Sequence, residues 1–351
     1  MTTKERFTRM YQHKEADRIP VLDYPWGDTI ARWVCEGMPT PDWISYFDLD
    51  RTESISVNNG PRYERKVIEE TDKYIIQTSE WGVTMRNWKH NTSTPEMLDF
   101  RVKTPADWEE AKSRMTPSDD RIPWESLKRN YPKWRNEGSW IIGNFWFGFD
   151  VTHSWFIGTE QLLMAMLDEP EWVMDMFEHE LNTDIALMNK IWDAGYTFDE
   201  LHWPDDMGFK QNQFFSLQMY RDMLKPFHKR AVDWAHNHGI PARLHSCGDI
   251  RPFVPDLVEI GFDGLNPLEV KAGMDPIALK QTFGDKLVLH GGINAVLWDK
   301  PEEIITAIER DLPILKENGG YIFASDHSIP ATVSFHDMKR IMETVRRVGG
   351  Y

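Results

Sequence analysis

The chain has 351 residues, of which 41% are hydrophobic and 27% are charged, a balance typical of globular proteins that excludes a disordered chain. Its 40 basic and 56 acidic residues give a formal net charge of −16, which repels phosphate backbones and argues against nucleic acid as a partner. No apolar run is long enough to span a membrane, and two cysteines form no disulfide framework, so we expect a cytoplasmic protein.

Short apolar segments alternate with helical patterns along most of the chain. Candidate strands lie at 18–24, 140–149, 198–207, 240–249, 262–269, 286–294 and 319–328. Amphipathic spacing predicts helices over 170–194, 216–238, 301–317 and 335–348, with a kink at Pro226 in the second of them. Asp275 and Ser334 are typical helix N-caps. Strands that alternate with helices in this way favour parallel pairing with right-handed crossovers.

An eighth strand is expected between residues 50 and 135, where the pattern is less regular. Residues 67–88 are typical of an antiparallel hairpin or meander. We therefore predict an α/β fold with a single (β/α)₈ TIM barrel over 1–351. An irregular insertion at 50–135 decorates it and contains a small antiparallel hairpin. An open doubly wound sheet is the alternative, against which stands the absence of GxGxxG and GxxxxGK[ST] motifs.

Reactive side chains follow the apolar part of nearly every candidate strand. They are Asp23, Asn144, Asp205, Asp206, His245, Cys247, Glu269, His290, Asn294, Asp326 and His327. A (β/α)₈ barrel gathers the C-terminal ends of its strands at one mouth, where the enzymes of this fold place their chemistry. The pattern therefore predicts a polar pocket at the mouth.

His245 and Cys247 are two positions apart on one candidate strand, so their side chains project to the same face. Imidazole and thiolate are good ligands for Zn²⁺, and a catalytic zinc takes about three protein ligands and one open position. Glu269 ends the next strand and Asp326-His327 ends the last one. We predict a metal site of His245, Cys247, Glu269 and one of His327 or Asp326.

The aromatic segments 144–149 and 209–215 either wall a substrate pocket or fill the core of the barrel. Asp205 or Asp206 is expected to orient the substrate or to act as a general acid, and Glu269 is the other catalytic candidate. Cys35 lies in a helical pattern and is expected to be a core thiol. The candidate substrate-binding residues are Asp23, Trp26, Asn144, Trp146, Phe147, Asp206 and Asn294.

Three stretches resemble the uroporphyrinogen decarboxylase-like superfamily. They are TKERFTRMYQHKEADRIPV (3–21), LHSCGDIRPFVPDLVEIGFDGLNPLEVKAGMD (244–275) and GGYIFASDHSIP (319–330). The resemblance extends over essentially the whole chain and implies a (β/α)₈ barrel. The decarboxylases of the superfamily need no metal and bind a tetracarboxylate through arginines after the first strand. VLDYPWGDTIARW (21–33) has no arginine pair there, which argues against this branch of the superfamily. A metal-free decarboxylase or other lyase is therefore the alternative function and not the main prediction.

The other branch of the superfamily is the zinc-dependent corrinoid methyltransferases, whose HxC pair is matched by His245 and Cys247. Their late cysteine is absent, and His327 or Asp326 would have to substitute for it. The spacing from Cys247 to Glu269 resembles the zinc site of cobalamin-independent methionine synthase, where a glutamate joins an HxC pair.

The resemblance implies a zinc-dependent methyltransferase. It would move a methyl group between a small O-, N- or S-methylated compound, such as a methoxylated aromatic, and the cobalamin of a partner corrinoid protein. The chain has no DxHxxG loop of its own for binding corrinoid. The direction of transfer, a homodimer and a non-catalytic binding role are left open.

Overall fold

A seven-stranded parallel sheet forms the centre of the computed structural model, which describes residues 1–90 and 94–351. Residues 91–93 of the predicted insertion lie outside the described part. The strands follow one another in space as in the chain, and they are β1 (Thr52–Ile55), β2 (Trp140–Asn144), β3 (Glu200–Pro204), β4 (Ala242–His245), β5 (Gly264–Asn266), β6 (Val288–His290) and β7 (Tyr321–Ile322).

An extended segment at residues 20–22 lies between β7 and β1 and closes the barrel. Val21 pairs in parallel with Phe323, and the N–H of Leu22 donates to the carbonyl of Phe323 at 3.0 Å. On the other side, the N–H of Asp50 donates to the carbonyl of Val21 at 3.0 Å. The predicted barrel is confirmed, and β1 is the strand expected between residues 50 and 135.

Helices surround the sheet and begin where the sequence provides caps. Asp275 accepts hydrogen bonds from the backbone of Ile277 and Ala278, and Ser334 accepts one from Asp337. The α-helices span Thr3–Tyr11, Gly27–Cys35, Trp43–Tyr46, Pro105–Arg114, Trp124–Asn136, Phe149–Val151, Thr159–Asp168, Pro170–Asp193, Leu217–Met219, Lys225–Asn237, Val254–Ile260, Pro276–Phe283, Pro301–Leu315 and Phe335–Gly349. Short 3₁₀ turns lie at Asp119–Arg121, Val270–Ala272 and Ala295–Leu297, and π turns at Thr152–Ile157 and Tyr220–Leu224.

The helix predicted over 216–238 is interrupted by the π turn Tyr220–Leu224, close to the kink expected at Pro226, because proline supplies no N–H for regular helical bonding. One other detail of the helices differs from the expectation. Cys35 is exposed, so the prediction of a core thiol was wrong. It ends a short helix that buries Thr29 and Trp33 instead. None of the described helices is long and apolar enough to cross a bilayer.

The insertion contains a four-stranded antiparallel sheet, which confirms the antiparallel pattern expected at 67–88. Trp81 and Trp108 pack edge-on against Phe156, with ring centroids 5.1 and 5.3 Å apart, so the insertion is anchored to the segment after β2. The strands are Val67–Glu70, Tyr74–Thr78, Val83–Trp88 and Glu96–Phe100, and a separate two-stranded hairpin joins Gly208–Phe209 to Asn212–Gln213.

An apolar layer fills the N-terminal end of the barrel. Phe7 and Met10 of the first helix pack there against Trp140 and Val288, which point inward from β2 and β6. The interior of such a barrel is usually a packed core of branched apolar side chains. Here the apolar filling closes only the lower end, which leaves a cavity toward the C-terminal mouth.

A candidate metal and substrate site at the barrel mouth

The cavity at the mouth has a volume of about 460 Å³, within the range of small-molecule sites. Its walls combine apolar side chains from inside the barrel with polar groups from the ends of the strands. The lining residues are Leu22, Asp23, Tyr24, Ser54, Ile142, Asn144, His202, Asp206, Arg243, His245, Cys247, Asn266, Pro267, His290, Ala324, Ser325, Asp326, His327 and Ser328.

Three of these residues bring potential metal ligands together. One ligand atom each from Asp206, His245 and Cys247 lies within 4.8 Å of the other two. The Cys247 Sγ atom is 3.4 Å from His245 Nε2, which is 3.7 Å from Asp206 Oδ1. Tetrahedral zinc with bonds of about 2.0–2.3 Å separates its ligand atoms by roughly 3.3–3.8 Å. Two of the three separations therefore match those around a tetrahedral zinc ion, and the third, between Asp206 and Cys247, is within 4.8 Å.

Asn266 on the neighbouring strand determines which nitrogen of His245 faces the cavity. The Nδ2 atom of Asn266 donates to the carbonyl of His290 at 3.2 Å, so the amide oxygen is turned toward His245. His245 Nδ1 lies 2.6 Å from that oxygen and must carry the proton. The lone pair is then on Nε2, beside Cys247, which is the orientation that a metal-binding histidine needs.

Negative groups surround the thiol of Cys247. Burial raises the pKa of Cys247 well above its usual value, and the carboxylates of Asp206 and Glu269 raise it further. Asp206 Oδ1 also accepts the backbone N–H of Cys247 at 2.7 Å. Buried negative charge around a thiol is unfavourable without a cation, and a divalent cation would be the largest local charge. The donor set of nitrogen, sulfur and carboxylate oxygen suits zinc.

A tight backbone turn holds Cys247 in this position. Gly248 has a φ of +80°, and a Cβ atom there would lie 2.1 Å from the backbone of Gly208, so glycine is required. The N–H of Gly248 donates to Glu269 Oε2 at 2.5 Å, and Glu269 Oε1 pairs with Lys271 Nζ at 2.9 Å. Glu269 thus lies beside the three-residue cluster, not within it.

The two candidates on the last strand also lie outside the cluster. His327 is exposed, and its ring lies against Trp26 with centroids 6.1 Å apart. Asp326 is buried, and its two oxygens accept the N–H groups of Ala295 at 2.7 Å and Val270 at 2.8 Å. Asp326 therefore joins three loops of the mouth, and His327 is positioned to contact a molecule entering the cavity.

Three of the predicted substrate-binding residues line the cavity with defined partners: Asp206 of the cluster, Asp23 and Asn144. Asp23 accepts hydrogen bonds from the backbone N–H and the hydroxyl of Ser325 at 2.8 and 2.7 Å. Burial raises the pKa of Asp23 to about 6. Asn144 donates to the hydroxyl of Ser56 at 3.2 Å and presents its oxygen to His202 Nδ1 at 3.2 Å.

Comparison with known proteins agrees with this architecture. The model of the uroporphyrinogen decarboxylase (URO-D) family matches residues 151–348. The chain belongs to the uroporphyrinogen decarboxylase family. Among solved structures, a methyltransferase from Methanosarcina mazei is similar at 16% identity, with 99% of each chain covered and a TM-score of 0.67. A xylose isomerase-like TIM barrel protein from Mycobacterium smegmatis has 14% identity, 66% and 80% coverage and a TM-score of 0.29. No curated protein sequence matches the chain.

The catalytic role predicted for Asp205 in this family member needs correction. Asp205 is completely buried, its Oδ2 lies 2.8 Å from His228 Nε2, and its Oδ1 accepts the N–H of Asp150 at 2.8 Å. Adjacent residues of extended chain point to opposite sides. Asp206 faces the cavity, so Asp205 faces the surrounding helices and is out of reach of a substrate.

Three further substrate-binding predictions are corrected by the packing. Phe147 is fully buried against Trp203, with ring centroids 5.4 Å apart, which places it in the core outside the barrel strands. Trp146 is partly buried in the same core, where its backbone N–H donates to Asp184 Oδ2 at 2.6 Å. Asn294 caps the turn Ala295–Leu297 and lines a different cavity.

His290 lines the cavity as expected, together with three inward-facing residues for which no site role was predicted: His202, Arg243 and Asn266. Burial and the charge of Arg243 lower the pKa of His202 well below its usual value and that of His290 to about 3, so both imidazoles are neutral. The strand sequences contained a pattern from which these residues could have been predicted. Polar residues at alternating positions, such as Arg243 and His245, indicate a polar barrel interior.

Proposed function

We propose that this protein is a zinc-dependent methyltransferase. It moves a methyl group between a small methylated compound and the cobalamin of a partner corrinoid protein. The observation that carries the proposal is the convergence of Asp206, His245 and Cys247 at the edge of a ligand-sized cavity. Family membership and the fold shared with the Methanosarcina mazei methyltransferase support it.

The residues that would hold zinc are His245 through Nε2, Cys247 through Sγ and Asp206 through a carboxylate oxygen. Bound zinc supplies Lewis acidity to the heteroatom that carries the methyl group, which makes that heteroatom a better leaving group. Glu269 is adjacent and would become a further ligand only by releasing Lys271, with which it pairs at 2.9 Å.

The chain's own side chains shape the rest of the site. Leu22, Ile142 and Ala324 provide apolar wall for the body of a substrate and exclude water from it. Asn144 and His202 offer hydrogen bonds on one side of the cavity. Tyr24 is 52% exposed and lies at the mouth, where the methyl group would be accessible to a large partner.

Decarboxylation of a polycarboxylate, the alternative function, lacks a matching set of cations. Among the described residues that line the cavity, Arg243 is the only arginine or lysine, and it pairs with Glu200. Asp23, Asp206 and Asp326 share the same walls and would repel several carboxylates. The electrostatics therefore favour the methyltransferase.

Zinc content is the direct test. We expect about one zinc per chain in the purified protein, because the cluster offers three ligands, and loss of that zinc in Cys247→Ser. Cys35→Ser is the matched control, since Cys35 is the other cysteine of the chain and is exposed. Protein that stays metal-free after expression with added zinc would contradict the proposal.

Methyl transfer is then measured spectroscopically. The zinc-loaded protein is incubated with reduced cobalamin or a corrinoid protein and with methoxylated aromatics, methylamines, methyl thiols or methanol, and the absorbance of methylcobalamin is followed. We expect transfer from one donor class, its loss on chelation and its return on adding zinc. A zinc-loaded protein that transfers methyl groups from none of these classes, with either acceptor, would contradict the activity.

A further inference from the structure

Arg243 lies in the floor of the cavity, and buried residues on the side away from the mouth hold its guanidinium in place. It precedes His245 by two positions on β4 and shares its inward face. Its Nε donates to Glu200 Oε1 at 2.6 Å. Glu200 is completely buried, and its other oxygen accepts hydrogen bonds from Tyr11 at 2.9 Å and Trp140 at 2.8 Å. Glu200 is thereby fixed and orients the guanidinium.

The opposite edge of the guanidinium is available to a ligand. His290 Nε2 donates to the carbonyl of Leu22 at 3.1 Å, so His290 Nδ1 is an acceptor and takes one long hydrogen bond from Arg243 Nη1 at 3.4 Å. In the described part of the chain, no side chain or carbonyl accepts a hydrogen bond from Nη2 of Arg243. Because Arg243 lines the cavity, its terminal N–H groups can donate to a molecule bound there.

The charge of this group is preserved although it is buried. An arginine side chain stays protonated in proteins, and the buried carboxylate of Glu200 pairs with this guanidinium at 2.6 Å. The floor therefore presents one fixed cation with free donors, a geometry that suits one carboxylate.

We propose that Arg243 is a specificity-determining residue that binds the carboxylate of a monocarboxylate substrate. This inference rests on the proposed function, which places the methylated heteroatom at Asp206, His245 and Cys247. Arg243 precedes His245 by two positions, about 6.6 Å along β4, so its backbone lies deeper in the barrel than the three-residue cluster. With the carboxylate on Arg243 and the methylated heteroatom at the cluster, the two groups would be at opposite ends of the substrate, and the apolar walls would surround the portion between them.

Calorimetric binding of two ligands of nearly equal shape tests this inference without any methyl transfer. The zinc-loaded full-length protein is titrated with 4-methoxybenzoate and with 4-methoxybenzamide. We expect the carboxylate to bind at least about tenfold more tightly, as for hydrogen bonds to charged groups. Arg243→Gln should abolish the preference. Arg251→Gln, which changes an exposed arginine paired with Asp249, should keep it.

A double variant separates binding from folding. Arg243→Gln leaves Glu200 buried without its partner, which destabilises the protein. Arg243→Gln/Glu200→Gln removes both charges and keeps an acceptor for Tyr11 and Trp140. The double variant should bind the amide as the wild type does, and the carboxylate no more tightly than the amide.

The inference is overturned if the wild type binds the two ligands equally, if it binds neither, or if either Arg243 variant keeps the preference for the carboxylate. The wild-type comparison alone is decisive if the variants do not fold. Zinc is measured on the same samples. Zinc-loaded protein without a preference for the carboxylate refutes the role of Arg243 alone, whereas absence of zinc from the wild type refutes the proposed function.

Discussion

His245 Nδ1 lies 2.6 Å from the side-chain oxygen of Asn266, and this contact determines the chemistry that His245 can perform. The amide of Asn266 cannot turn over, because its Nδ2 donates to the carbonyl of His290. The proton of His245 is therefore on Nδ1, and Nε2 faces Cys247 with its lone pair free. The strand pairing of β4 with β5 places the two residues side by side.

Replacing Asn266 should weaken zinc binding without removing a ligand. In Asn266→Ala the imidazole loses its anchor and can rotate or change tautomer, so we expect affinity for zinc to fall by about 10- to 100-fold. Competition with a chromophoric chelator measures this. Asn212→Ala, in the exposed hairpin after β3, is the control and should bind zinc as the wild type does. Unchanged affinity in Asn266→Ala would mean that another contact orients His245.

Asp206 and Glu269 should differ in their effect on the metal site, although both are carboxylates close to Cys247. Asp206 belongs to the three-residue cluster, whereas Glu269 is occupied by Lys271 and Gly248. We expect Asp206→Asn to lower the zinc content strongly and Glu269→Gln to lower it less. Elemental analysis of the two purified variants measures the difference.

The reverse order would be informative about the ligand set. If Glu269→Gln loses zinc as completely as Asp206→Asn does, Glu269 must exchange Lys271 for the metal when zinc binds. That result would support the sequence-based prediction that Glu269 is a zinc ligand, in addition to the three-residue cluster. Lys271→Gln would then raise zinc affinity, because it frees the Glu269 carboxylate.

The alternation of strands and helices was sufficient to predict the barrel, and the HxC spacing was sufficient to predict that His245 and Cys247 point into one pocket. Both inferences depend only on local periodicity. The same periodicity contained a signal for the polar interior, because Arg243 shares the face of His245, although no site role was predicted for Arg243. The family match agrees with the superfamily resemblance found in the sequence.

Residues in the loops after the strands were harder to place, because periodicity ends there. Asp205 and Asp206 are neighbours in the sequence, and the conformation of the chain after β3 determines which of them faces the pocket. Asp206 lines the pocket, whereas Asp205 pairs with His228. Asn294 caps a 3₁₀ turn that no local sequence pattern predicted. An aromatic run such as 144–149 has the same composition whether it walls a pocket or fills a core.

Phe147 provides a test of that last distinction. It is fully buried against Trp203 and His228, so Phe147→Ala should lower the free energy of unfolding by about 3–5 kcal/mol and leave zinc content unchanged. Phe209→Ala, at a phenylalanine that is 42% exposed, should have a much smaller effect. Urea denaturation measures both. Unchanged stability with a raised KM in Phe147→Ala would instead indicate a wall of the substrate pocket.

Asp184 should make the stability of the protein depend on pH. It is completely buried on helix Pro170–Asp193, where Oδ2 accepts the backbone N–H of Trp146 at 2.6 Å. Burial raises its pKa to about 8. Glu180, one turn earlier on the helix, is also buried with a raised pKa, so both groups act in the same direction.

The direction of the pH dependence follows from which state of the protein, folded or unfolded, keeps the proton of Asp184. Between about pH 4 and pH 8 the folded protein keeps the proton of Asp184 while the unfolded chain has lost it. The stabilisation is complete below about pH 4 and declines as pH rises through 8, since the ionised carboxylate must then be buried. Asp184→Asn keeps an acceptor for Trp146 and cannot ionise. From pH 5 to pH 8 its unfolding free energy should therefore fall less than that of the wild type, by an amount on the order of a few kcal/mol. Urea denaturation at the two pH values measures the difference, with Asp193→Asn, at the exposed end of the same helix, as the control. An equal decline in wild type and Asp184→Asn would show that Asp184 stays ionised in the folded protein.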